Sequence, residues 1–224
     1  MSYDCHRGYV ARCPKKLLIG QGSLMGKWDA LYGFWFGELI EERGEVRDFW
    51  FSGSAEIDRK LAALFSDDYN RALEGGYDDW RSSVRGCLTL IILLDQIPRN
   101  IFRGQPESFK TDTKALEIAR EFIKSPWHEG LIEVEKLFAY LPFQHSENRG
   151  DQALSVKLYS EIPEHDKKEE WLDFAVQHKT IIDAFGRFPH RNAILKRENT
   201  PREAVWLAEN DQRFGTSVEG PDDK

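Results

Sequence analysis

The stretch that most restricts what this chain can fold into is residues 87–104, where an apolar run ends abruptly in a polar cluster. At helical spacing Val84, Leu88, Ile91 and Asp95 fall on one line, so the Asp95 carboxylate is predicted to point inward with the apolar side chains. Leu90, Leu93 and Leu94 cover the other sides. A helix that is apolar nearly all round belongs at the centre of a domain. Pro98 removes the N–H that would bond the carbonyl of Leu94 and disfavours helical geometry at Ile97, which predicts a break or kink near Gln96. Arg99, Asn100 and Arg103 then leave in a new direction beside Asp95.

A buried aspartate has two readings. In one it is half of a structural ion pair with Arg99 or Arg103, because a lone buried carboxylate is too costly. In the other the helix end is a polar pocket. Two Arg, an Asn and an Asp so close in sequence can bind a carboxylate or phosphate through paired donors, with the acid fixing a guanidinium.

The 224 residues suffice for a sizeable core, and 31 basic against 38 acidic side chains leave a net charge of −7. That balance argues against general binding to nucleic acid or to anionic membrane, since no surplus of Lys and Arg neutralises phosphates. Cys5, Cys13 and Cys87 are an odd set without metal-ligand or CxxC spacing, which points to a reducing, cytoplasmic setting. No window approaches the roughly eighteen apolar residues of a membrane helix. We expect an irregular arm over residues 1–27, a single all-helical domain over 28–212 and a polar tail over 213–224.

Along the chain, Phe34, Trp35 and Phe36 end a first helix near Gly37, and Trp50 and Phe51 return to the core. Ser54 is a predicted N-cap for a helix with Ile57, Leu61, Leu64, Phe65 and Tyr69 on one face. Gly75 and Gly76 stop it, and Asp78 or Asp79 is expected to start the core helix. Another helix starts at Asp112, and one over residues 131–141 is expected to close at Pro142. The loop that follows carries His145, Ser146 and Glu147. Ser146 can cap the next helix, and His145 with Glu147 forms a candidate proton-handling pair. That next helix, over residues 151–162, sets Gln152, Ser155 and Tyr159 in a polar row, which is either a solvated face or a site lining.

The helix over residues 169–185 draws a stripe through Trp171, Phe174, Ala175, Ile182 and Phe185, with His178 in its middle. A histidine there is either a satisfied core residue or a site group. Its end, through Arg187, Pro189, His190, Arg191, Asn192 and Ile194, repeats the chemistry of the first corner, where Pro98, Arg99, Asn100 and Ile101 follow an apolar helix. Thr200, Pro201 and Glu203 match a capping box for a last helix.

With both corners in view the chain resembles a mainly bacterial family known only as domain-of-unknown-function family 924. The matching text includes Phe34-Trp35-Phe36-Gly37; Trp50 and Phe51 with Asp58 and Phe65; residues 93–104; residues 140–147; Gln152 with Ser155; and residues 187–195. Three positions depart from its pattern: Ile97 where Phe is usual, Gln144 where Glu is frequent, and Lys196 where Gly is common. The resemblance implies an all-α, tetratricopeptide-repeat-like fold of antiparallel helical hairpins, which with the apolar run above gives an expected right-handed helical array around a buried central helix. It implies no activity.

Two functions follow. In the first, both corners and the His145 loop enclose a site for a small anionic ligand or a peptide carboxylate. Asp95, Gln96, Arg99, Asn100, Arg103, Gln152, Ser155, Arg187, Arg191 and Asn192 would bind, and His145, Glu147, His178 and His190 would transfer protons in hydrolysis or group transfer. In the second, the protein is a helical-repeat interaction module and the corners are structural. No nucleophile motif, phosphate loop or metal spacing is present, so no cofactor is expected.

Overall fold

The computed structural model describes residues 28–37, 39 and 42–210, and every regular element among them is helical. The proposed arm, and the tail over 213–224, lie outside the described residues. No described helix is long and apolar enough to cross a membrane.

Helix α1 (Asp29–Phe36) buries Leu31, Tyr32, Trp35 and Phe36. A 3-10 turn (Asp48–Phe51) then brings Trp50 inward, where its indole N–H donates to the carbonyl of Trp35 at 3.0 Å. Phe51, expected in the core, is 60% exposed. One tight turn points consecutive side chains in different directions, so only one of the aromatic pair can face in. Helix α2 (Ala55–Leu73) is capped by Ser54, as predicted, and buries Leu61, Phe65, Tyr69 and Ala72. Leu64 sits on the flank of that stripe and is exposed.

The helix that ends at Asp95 starts later than expected. Asp78 and Asp79 lie in a separate 3-10 turn (Asp78–Ser82), and Ser83 caps α3 (Val84–Asp95) by accepting the N–H of Gly86 at 3.1 Å. That turn lies so close that a Cβ on Gly86 would come within 2.6 Å of the Trp80 carbonyl. From Gly86 to Asp95 every α3 residue is buried, and α1, α2, α5 and α6 all pack on it.

The break at Gln96 is present, and α4 (Ile97–Ile101) leaves in the new direction. Pro98 leaves the Leu94 carbonyl without its helical donor, and the Thr111 hydroxyl, at 2.5 Å, supplies one instead. Thr111 precedes α5 (Asp112–Phe122), so this bond ties the end of one helix to the start of another.

Helix α6 (Glu133–His145) runs through Pro142 instead of closing there. An internal proline costs about 3 kcal/mol. Burial of Leu137, Phe138, Leu141 and Phe143 offsets it, and Gln152 holds the last turn from outside. Its Nε2 donates to the carbonyls of Gln144 and Ser146 at 2.7 Å each. His145 is therefore a helix-terminal residue, not a loop residue. Helix α7 (Arg149–Ser160) is capped by Asn148 rather than Ser146: its Oδ1 accepts the N–H groups of Gly150 and Asp151.

Helix α8 (Lys168–Phe185) packs along α7 and ends at Gly186, whose φ of 72° is the left-handed geometry that suits glycine. After a short 3-10 turn (Pro189–Arg191), the predicted capping box opens α9 (Pro201–Glu209).

Candidate functional site

The α3–α4 break, the end of α6, the start of α8 and the turn around Trp50 border a cleft of about 480 Å³. One side is apolar, with Trp50, Phe51, Leu137, Leu141, Trp171 and Phe174; the other carries Gln96, Arg99, Asn100, Arg103, Gln144 and His145.

Asp95 organises the polar side. It has no exposed surface and accepts from Nδ1 of His145 at 2.8 Å and from Nε2 of Gln96 at 2.6 Å, with Arg99 Nη2 at 3.4 Å. Burial pushes its pKa up, but His145, Arg99 and these hydrogen bonds outweigh it and hold the carboxyl below its ordinary range. An ionised carboxylate only accepts, so Nδ1 of His145 is the protonated nitrogen and Nε2 carries the lone pair of the neutral ring. Burial, then Arg99, lowers the His145 pKa against the pull of Asp95, so the ring is neutral at pH 7. His178 also lines the cleft; its ring centre is 6.4 Å from that of His145, and it donates Nδ1–H to the Phe174 carbonyl at 2.7 Å. Burial lowers the pKa of His178 strongly.

The two proline corners meet at a residue the sequence reading took only as a helix start. Arg99 Nη2 donates to Asp112 Oδ1 at 2.7 Å, and Arg191 Nη1 lies 3.5 Å from Asp112 Oδ2. Both guanidiniums lie over the Phe109 ring, and Arg191 also lies over Phe188 at 4.4 Å. Burial pulls Arg191 down to about 10 against the attraction of Asp112, which leaves it charged at neutral pH. Arg103 forms a two-point pair with Asp58, at 2.6 and 2.8 Å, and its Nη2 also donates to Asn100 Oδ1 at 3.2 Å.

Several candidates are placed elsewhere. Glu147 does not pair with His145; it accepts the Phe188 N–H at 2.8 Å and both ends of Arg197, so it ties down the second corner. Asn192 bonds Asn199 and Arg197, each at 2.8 Å. Arg187 makes a two-point pair with Glu203, at 2.6 and 2.7 Å, and its guanidinium reaches the Glu198 carbonyl, so it docks α9. Gln152 is buried and clamps the end of α6, and Ser155 is buried in α7; neither lines the cleft. His190 lies against Phe188, outside the cleft lining. The polar row on α7 is thus a buried face, since Tyr159 also turns in to donate to the Leu137 carbonyl at 3.0 Å.

The sequence reading missed Arg47, Lys167 and Glu170 in the cleft, and Asp58, Asp112 and Arg197 as partners of the predicted residues. Their signal was weak: charged residues at helix starts and in connectors are ordinary surface features. Among the described residues, no group of three or more His, Cys, Asp or Glu is placed to hold a metal ion.

The class these features define is an all-helical protein with a carboxylate-held histidine and carboxylate-paired arginines at the edge of a half-apolar cleft. The chain belongs to the family described as bacterial protein of unknown function (DUF924), whose model matches residues 31–211. It is also similar to the solved structure of a protein of unknown function from Agrobacterium tumefaciens, 36% identical, which covers 73% of this chain and 90% of that one with a TM-score of 0.68. No curated protein matches the chain.

Proposed function

We propose that the cleft binds a small organic acid and that His145 exchanges a proton with it, in hydrolysis or group transfer. The observation that carries this reading is the 2.8 Å bond from His145 Nδ1 to Asp95, at the edge of a cleft that Arg99 and Arg103 also line. Asp95 fixes the tautomer and the ring plane, Nε2 takes the proton, and the carboxylate steadies the imidazolium that forms. Gln144, beside His145 in the cleft, carries no charge where the family often has Glu, so proton handling rests on His145 alone among the two. The reading includes a reducing, cytoplasmic setting in which Cys87 stays a thiol; burial pushes its pKa up to about 12.

A ligand held at about a hundred times its Kd stabilises the native state by about 2.7 kcal/mol. For a chain of this size that is a rise in Tm of about 5–10 °C. The test is a thermal-shift screen of the wild type and Arg99→Lys against organic acids. Lysine keeps the charge but loses the planar fork, so the shift should shrink in the variant. A panel in which no acid raises the wild-type Tm would sink the proposal.

One observation favours a second reading. Phe51 and Phe174 stay exposed beside the cleft, as an interaction module that grips a peptide segment would leave them. In that reading the successive packing of α6, α7 and α8 belongs to a tetratricopeptide-like array of antiparallel hairpins around α3, with the polar corners purely structural.

A further inference from the structure

We infer that the ligand of this cleft is a singly charged acid with an apolar body, an aliphatic or aromatic monocarboxylate rather than a phosphate or a small polyanion. This rests on the proposed ligand-binding role of the cleft and gives that ligand a chemical class.

The first support is charge. Four cations line the cleft, Arg47, Arg99, Arg103 and Lys167, and each has an acid beside it. Arg99 is held by Asp112 and Asp95, Arg103 by Asp58, and Lys167 by Glu170 at 2.7 Å. Arg47 is the most loosely held, with Glu42 at 3.5 Å and the Phe36 carbonyl at 3.3 Å. Asp48 adds a further acid to the lining. The cleft therefore has donors but no surplus positive charge. A phosphate dianion entering it would lose far more hydration than a monoanion, because ion solvation grows with the square of the charge, and would find no net field in return. A carboxylate needs only a pair of donors such as a guanidinium presents.

The second support is the opposite wall. Trp50, Leu137, Leu141 and Trp171 form an apolar surface that continues into Phe51 and Phe174, which are 60% and 43% exposed. A bare acetate or an inorganic anion would leave that wall in water, whereas an alkyl or aryl body would cover it.

The test is calorimetric titration of the full chain with acetate, hexanoate, octanoate and octyl phosphate. Each methylene buried should tighten binding about fourfold, so octanoate should bind about sixteenfold tighter than hexanoate. Octyl phosphate should bind at least tenfold more weakly than octanoate, and Phe174→Ala should weaken octanoate about tenfold. Equal affinity for acetate and octanoate overturns the apolar-body inference and leaves the proposed acid site standing. Octyl phosphate binding tighter than octanoate overturns the charge argument. Failure of every carboxylate at every length overturns both this inference and the proposed function.

Discussion

Replacing Asp95 with Asn tests the arrangement on which the candidate site depends. The two side chains have the same shape, so the change is one of charge and hydrogen-bond polarity. In the native site one carboxylate oxygen accepts from His145 and Arg99, and the other from Gln96. With its NH2 towards Arg99 an amide faces a group that can only donate, and turned the other way it still lacks the charge that Arg99 pairs with, at a position with no exposed surface. Removing one partner of a buried ion pair costs about 3–5 kcal/mol. Arg99 keeps Asp112 at 2.7 Å, which places the expected loss at the lower end, about 3 kcal/mol. Urea denaturation at pH 7 should show it as a lower midpoint with an unchanged slope. The pH dependence is a second check. Because the folded pKa of Asp95 lies below its unfolded value of about 3.9, its contribution is fully present above that value. It is lost as pH falls through the folded value, so the gap between wild type and variant should narrow on acidification below about pH 4. A loss under about 1 kcal/mol at pH 7, or a gap as wide at pH 3 as at pH 7, would refute the reasoning.

Gln152→Leu should cost about 1–3 kcal/mol, since the buried Gln144 carbonyl and the half-buried Ser146 carbonyl at the end of α6 lose their 2.7 Å donor. Hydrogen exchange should speed up in the last turn of α6, and a variant as stable as wild type would show that the clamp is dispensable. Lys196→Gly should stabilise. Lys196 has a φ of 55°, a left-handed geometry that costs an L-residue about 1–2 kcal/mol, against about 0.5–1 kcal/mol of added chain entropy for glycine. The net gain of about 0.5 kcal/mol should raise Tm by about 1–2 °C, and a fall in Tm would contradict it.

Features decided by a few neighbouring residues were legible in the sequence. The caps at Ser54 and Thr200, the inward Asp95 and the break at Gln96 each follow from local sterics and helical period. Features decided by distant partners were not. Pro142 reads as a stop until Gln152, on another helix, is seen to serve the carbonyls beyond it. Ser146 reads as a cap because Asn148 is equally suited and only the geometry chooses between them. Glu147 reads as a partner for His145 because the two are close in sequence, yet Arg197 holds it fifty residues away. The departure at Lys196 was legible as a departure. Its meaning, a backbone position that favours glycine, needed the dihedral angle.

The likeness of the two corners takes on a physical sense from Asp112. Arg99 and Arg191 follow their prolines in similar text, and both guanidiniums reach this one carboxylate. Two cations on one anion would leave an unbalanced charge, and Asp95, 3.4 Å from the same Arg99 Nη2, supplies the missing negative. The four groups therefore balance only as a set. That balance fixes the end of α3 against the segment after α8, and it fixes with it the ring of His145, which hangs on Asp95. A candidate site whose histidine is held by a network spanning both corners is preorganised without any ligand. The same network uses up the charge of its arginines, so the acid we propose for the cleft would be recognised through hydrogen-bond geometry and apolar contact rather than through net field.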